Sequence, residues 1–135
     1  MPRYPQLLQT VLDSEGVREL AEFYRQLLGL AYRAGDEPDP TRGGRDWLVL
    51  VDSSGGRTLR FQQVVSLQRT TWPTSDVPMQ LHLDMTVHDV EELHEQRRRA
   101  EVLGAQLLLD RSTDPDEPLY VLSDPAGHPF CVFVQ

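Results

Sequence analysis

Three short stretches of this 135-residue chain carry residue types able to do chemistry, at spacings that bring them side by side. In "TLRFQQVV", Arg60 and Gln62 are two apart in a β-rich run. On a strand they share one face, leaving Leu59 and Phe61 for the other. In "QLHLDMTV" strict alternation puts Leu81, Leu83, Met85 and Val87 on one face and His82, Asp84 and Thr86 on the opposite one. In "PFCVFVQ" the only cysteine, Cys131, lies on an alternating run that closes the chain. Arg60 is a permanent cation whose planar fork suits bidentate hydrogen bonding to a carboxylate or phosphate. It could equally form a structural ion pair with Asp84. Cys131 could be a nucleophile if His82 accepts its proton, or a small buried hydrophobe. No phosphate-cradling glycine loop, paired-carboxylate site or Ser-His-Asp constellation is present.

The net charge of −8 opposes association with a polyanion, so nucleic acid is not an expected partner. The run Arg97-Arg98-Arg99 fans across about 200° of a helix surface and reads as a solvated face. A single cysteine excludes an intrachain disulfide and fits a reducing compartment. The opening "MPRYPQLLQTVLDSEG" has no apolar run of signal-peptide length, and no later segment could span a bilayer. The expectation is a cytoplasmic protein without a membrane partner.

These residues need elements to position them. "QLLQTVLD" predicts a first strand over 6–13. In the following stretch Val17, Leu20, Ala21, Tyr24, Leu27 and Leu28 recur at helical spacing, with Gly29 as the stop. "LAYRAG" continues as a short strand, and "DEPDPTRGGRD" (36–46) reads as an exposed loop. "WLVLVDSSGGRTLRFQQVV" is a hairpin, and 67–78 is a linker. A strand over 80–87 follows. Asp89 with Glu92 then has the form of a capping box opening a helix that Gly104 ends. A strand, a loop and a second hairpin, "LYVLSDPAGHPFCVFV", complete the chain. His88 and His94 are expected to face solvent, and His128 to cap or space the last turn.

The element order is therefore βαβββ, linker, βαβββ, with modules of about 4–66 and 79–135. The repeat shows in the residues too: "WLVLVDSSGG" answers "LYVLSDPAGH", and "LLGLAYR" answers "VLGAQLL". Each copy is small for a self-sufficient core, so a single domain over 1–135 is expected. The fold class is α+β: a curved mixed sheet around a cleft, with the helices on its outer face.

This plan, with "LAEFYRQLLGL" early and "DPAGHPF" late, resembles the vicinal oxygen chelate superfamily. That superfamily includes glyoxalase I, bleomycin-resistance proteins, fosfomycin-modifying enzymes and extradiol dioxygenases. "LRFQQV", "WPTSDVPMQLHLDMTVHDVEEL" and "DPAGHPFCVF" are most similar to its glyoxalase-like subgroup. The resemblance implies a homodimer and a divalent metal held by the first and last strands of each half. Those positions fall at Gln9 and His82 and at Arg60 and Cys131. The last-strand positions call for carboxylates, and this chain has a cation and a thiol instead. About 4 Å from a divalent ion, at an effective dielectric near 20, an Arg60 guanidinium is repelled by roughly 8 kcal/mol.

The expected function is thus binding of a small polar or anionic organic molecule without metal or other cofactor. The cleft would be lined by Gln9, Arg60, Gln62, His82, Asp84 and Cys131, with Trp47 and Phe133 as apolar walls. Two alternatives stand beside it. One is a metal-dependent lyase or dioxygenase using Gln9, His82 and Cys131. The other is sequestration of a cationic antibiotic, which the acidic charge favours and Arg60 opposes.

Overall fold

The computed structural model describes residues 4–41 and 44–135. Residues 1–3, and Arg42 and Gly43 of the loop expected over 36–46, lie outside the described residues. The chain divides into two compact units, 1–65 and 66–135. Each holds one helix and one open four-stranded sheet.

The first unit contains β1 (Thr10–Ser14), α1 (Val17–Leu28), β2 (Ala31–Tyr32), β3 (Trp47–Val51) and β4 (Arg57–Gln63). Its sheet order is β1-β4-β3-β2, with β1 parallel to β4 and the other pairs antiparallel. The second unit repeats this with β5 (Leu83–Val87), α2 (Val90–Leu103), β6 (Gln106–Arg111), β7 (Leu119–Ser123) and β8 (Pro129–Val134). Its order is β5-β8-β7-β6, with β5 parallel to β8. In both units two residues separate the first strand from its helix.

Alternation sorts each sheet into a helix-packed face and an open one. In the first unit Leu12, Leu48, Leu50, Leu59 and Phe61 are buried on the helix side. There Tyr24 of α1 stacks on Phe61 with ring centroids 5.9 Å apart. In the second, Val87, Tyr120, Leu122, Phe130 and Val132 form the buried set, joined by Leu93 and Ala100 of α2. Each fully buried Leu or Phe contributes about 1.5–3 kcal/mol of transfer free energy.

Local chemistry sets the ends. Gly29 closes α1 in the left-handed conformation, its N–H donating to the Arg25 carbonyl. The Asp89 carboxylate accepts from the Glu92 N–H at 2.8 Å and caps α2. No side chain of Gly16 can cap α1, so Gln63 of β4 does a similar job, accepting the Val17 N–H at 3.2 Å. The two hairpin turns repeat one device. Asp52 Oδ1 accepts from the Ser54 and Gly56 N–H groups, and Asp124 Oδ1 from those of Ala126 and His128. His128 adds an Nδ1 contact to Asp124 at 2.9 Å, the turn-capping role expected of it.

The structure corrects four details. The first strand begins at Thr10 rather than residue 6, because Tyr4–Leu8 are exposed and pair with nothing in the ladder. The strand expected from residue 80 begins at Leu83, leaving Leu81 half-exposed and His82 just outside the ladder. Asp36, at the head of the supposedly exposed loop, is buried, where its carboxylate accepts the Val49 N–H at 2.9 Å and pairs with Arg33 at 3.3 Å. His94 is half-buried with Nδ1 2.8 Å from the Tyr120 hydroxyl, since Tyr120 stands on the helix side of β7.

The linker, which contains a cis Trp72–Pro73 bond, is tied to the second unit by Arg69. Its Nη2 donates to the Pro125 carbonyl at 2.6 Å. Among described residues no helix is long and apolar enough to cross a membrane.

Gly127 combines a φ of 99° with a close neighbour: a Cβ there would lie 2.7 Å from Arg69 Cγ. Gly127→Ala is expected to lower stability by about 1–3 kcal/mol in urea unfolding. Part of that loss is recovered when Arg69→Ala is combined with it, because only the steric share of the cost disappears.

Candidate functional site

The register of the parallel pairs decides which side chains meet on the open faces. In the first unit Val11 stands opposite Arg60 and Asp13 opposite Gln62. Across β3, Arg60 faces Val49 and Gln62 faces Trp47. Arg33 extends this row, its N–H donating to the Val49 carbonyl at 2.9 Å. Arg33, Trp47, Arg60 and Gln62 therefore occupy one patch.

Within the patch two guanidinium groups lie over the Trp47 indole, Arg33 at 4.5 Å and Arg60 at 4.9 Å from its centroid. Contacts of this kind contribute about 0.5–2 kcal/mol each, more as they are desolvated. Arg33 is already paired with Asp36. Arg60 is not so supplied: its Nε is buried with no hydrogen-bond partner among the described residues. An unmet buried donor costs about 1–3 kcal/mol, more when charged, so the Trp47 contact offsets only part of it. Gln9, just ahead of β1, has its amide oxygen engaged by Arg57 Nε at 2.8 Å.

In the second unit Asp84 stands opposite Cys131 and Thr86 opposite Phe133, with Val121 and Leu119 across β7. His82 Nε2 lies 3.2 Å from Asp84 Oδ1. Donor atoms of His82, Asp84 and Cys131 all fall within 4.8 Å of one another. Phe133 is half-buried two residues beyond the thiol on the same face. Burial, and then the charge and hydrogen bond of Asp84, push the Cys131 thiol up to about 11, with a smaller contribution from Glu117. A carboxylate accepting the S–H proton holds the thiol protonated, the reverse of what an activated nucleophile needs.

Aligned strand for strand, the two registers make Gln9 the counterpart of His82, Val11 of Asp84 and Arg60 of Cys131. Gln62 answers Phe133, and Trp47 answers Leu119. One backbone thus carries a cationic, aromatic patch in the first unit and an imidazole–carboxylate–thiol cluster in the second. Sequence reasoning missed Arg33 and Arg57. Arg33 follows a two-residue strand too short to show alternation. Arg57 sits where the β3–β4 register shifts, so counting by twos fails there. Asp84 lies on the open face, as alternation predicts, and its carboxylate comes within reach of His82 and Cys131, a grouping that the resemblance, with carboxylates on the last strand, does not suggest.

Paired βαβββ units of this kind define the vicinal oxygen chelate fold. The chain belongs to the family described as the glyoxalase-like domain, whose model matches residues 9–133. No curated protein matches the sequence. Among solved structures, the chain is similar to a glyoxalase/bleomycin resistance protein/dioxygenase family enzyme from Burkholderia phytofirmans. Identity is 15%, with 94% of this chain and 96% of that one covered and a TM-score of 0.66. It is also similar to a genomically encoded fosfomycin resistance protein of Listeria monocytogenes complexed with Mn(II) and sulfate. There identity is 16%, coverage 98% and 94%, and the TM-score 0.67. A mutant of that protein, complexed with Mn(II) and 1S,2S-dihydroxypropylphosphonic acid, matches at 16% identity, coverage 98% and 93%, and a TM-score of 0.69.

The family resemblance implies a divalent metal, and the donor chemistry of this chain tests the fit. The first unit offers Gln9, already engaged by Arg57, and the cation Arg60 at the equivalent positions. The second offers an imidazole, a carboxylate and a thiol in reach of one another. Three such donors fit a divalent ion with a remaining open position.

With its proton held so tightly, Cys131 should be alkylated by iodoacetamide at pH 7 on the order of 10²-fold more slowly than a free cysteine. The rate should rise about tenfold per pH unit until roughly pH 11, as the thiolate fraction grows. Asp84→Asn removes the neighbouring charge and should move the inflection down. A wild-type inflection at or below pH 9 would contradict the assignment.

Proposed function

We propose that the chain binds a small organic anion, a carboxylate or phosphonate, on the open face of its first unit, with Arg60 as the side chain that holds it. The observation that carries this reading is the Arg60 guanidinium. It rests over Trp47, and its buried Nε lacks a hydrogen-bond partner among the described residues. An anion accepting from that fork would satisfy the donor and neutralise the charge together. Trp47 would supply the apolar surface and Gln62 a neutral polar contact. Arg33 lies over the same indole but is already paired with Asp36, so Arg60 is the guanidinium left to meet an anion.

The sulfate and the dihydroxypropylphosphonic acid complexed with the similar fosfomycin resistance protein of Listeria monocytogenes are ligands of the same chemical kind. Anion binding of this sort needs no metal. The permanent charge of Arg60 weighs against sequestration of a cationic antibiotic. A homodimer, resting on the family resemblance, and a cytoplasmic location, resting on the single cysteine, belong to the proposal as well.

A second reading, metal-assisted lyase or dioxygenase chemistry, is favoured by the His82–Asp84–Cys131 cluster. Those three residues would hold the ion, with Asp84 added to the residues the sequence suggested and Gln9 occupied elsewhere. The ion, when bound, would supply a Lewis acid that polarises a substrate oxygen. His82 and Asp84 would orient one another through their 3.2 Å contact, and Phe133 would restrict water on one side.

Thermal unfolding of the metal-free protein with methylphosphonate, phosphate, acetate and pyruvate tests the first reading. At least one of these anions should raise Tm. In Arg60→Met, which keeps the apolar stem over Trp47, affinity should fall about 10–100-fold, as expected for losing a charge-assisted hydrogen bond. An absence of any shift, or an unchanged response in Arg60→Met, would overturn it.

A further inference from the structure

The ion that the second unit would select is written in its donor atoms, and this question is independent of anion binding by Arg60. His82, Asp84 and Cys131 lie wholly within residues 66–135. The cluster calls on neither Gln9 nor Arg60. Its geometry follows from two features of β5 and β8. The parallel register sets Asp84 directly opposite Cys131. His82, two residues before Asp84, turns its Nε2 to within 3.2 Å of the carboxylate.

We infer that this cluster is a metal half-site selective for thiophilic divalent ions, Zn(II) or Co(II) over Mn(II), with Asp84 on the first strand supplying the carboxylate that the last strand lacks. Tetrahedral zinc has bonds of about 2.0–2.3 Å to N, O and S, which places neighbouring donors roughly 3.3–3.8 Å apart. The present ceiling of 4.8 Å exceeds that range by about 1 Å, and the His82–Asp84 pair, at 3.2 Å, already lies close to its lower end. Small rotations of the exposed His82 and Asp84 side chains would close the rest, because neither is packed in the core.

The selectivity argument is one of donor softness. Mn(II) and Mg(II) prefer several carboxylate or water oxygens, and one carboxylate with an imidazole and a sulfur is a poor set for them. A thiolate and an imidazole suit Zn(II) and Co(II). The exposure of His82 and Asp84 leaves a coordination position open to solvent, the arrangement of a reactive site rather than a closed structural one. In the first unit the register-equivalent residues are Gln9, Val11 and Arg60, so no matching anionic donor exists there. The asymmetry places the whole site in one unit.

Titration of metal-free full-length protein with Co(II), followed by absorption spectroscopy, tests this without reference to any activity. The expected result is a thiolate-to-Co(II) charge-transfer band in the near ultraviolet that saturates at one equivalent and is abolished by stoichiometric Zn(II). Cys131→Ser should lose that band. Asp84→Asn should weaken Co(II) binding at least tenfold while circular dichroism shows the fold intact. Mn(II) at the same concentration should leave the band unchanged. No Co(II) binding, binding without the charge-transfer band in wild type, or displacement of Co(II) by equimolar Mn(II) would each overturn the inference. None of these outcomes bears on the anion response of Arg60, so the two proposals fail separately.

Discussion

Each unit depends on a parallel pairing between its first and last strands, with a helix carrying the chain away from the first. Parallel strands cannot be joined by a tight turn, so the helix and the two intervening strands lie between them in sequence. The pairing brings residues some 50 positions apart into contact at a single register: Val11 against Arg60, and Asp84 against Cys131. Because side chains alternate with period two, a slip by one residue would send Arg60 and Cys131 into the helix-packed layer and Phe61 and Val132 to the open face. Burial of Phe61 and Phe130 on the helix side therefore fixes where the polar residues stand.

From one backbone the two units have taken different chemistry. Both keep an Asp-capped hairpin turn, a glycine at the helix end and an apolar layer beneath the helix. The open faces diverge position by position, with a guanidinium where the other unit has a thiol and an indole where it has a leucine. Such substitutions leave the helix-packed layer untouched, since Arg60, Cys131 and Trp47 stand on the opposite face of each sheet. A duplicated scaffold can hold its stability on one side of each sheet while the other side changes.

The buried Nε of Arg60 and the hydrogen-bonded thiol of Cys131 are contrasting electrostatic situations. Arg60 cannot give up its charge, so the surroundings accommodate it through the Trp47 face and leave a donor unspent. Cys131 can remain neutral, and burial beside Asp84 keeps it so. Unspent donor capacity invites an anion. A protonated thiol beside a carboxylate stays inert toward electrophiles until a soft cation displaces its proton.

Much of the fold was legible in the residues themselves. Helical spacing from Val17 to Leu28, the glycine stops, the Asp89 cap and the internal echo of "WLVLVDSSGG" in "LYVLSDPAGH" are local signals, and the elements follow them. Alternation also placed Arg60 with Gln62 and His82 with Asp84, because period two is a property of any strand. What sequence could not supply was register. Whether Asp84 or another residue stands opposite Cys131, and whether Arg33 reaches Trp47, depends on how distant strands align, and that alignment is set by the collective burial of the apolar layer rather than by any residue's own preference. Tertiary structure alone decided that Asp84 stands directly opposite Cys131 on the neighbouring strand.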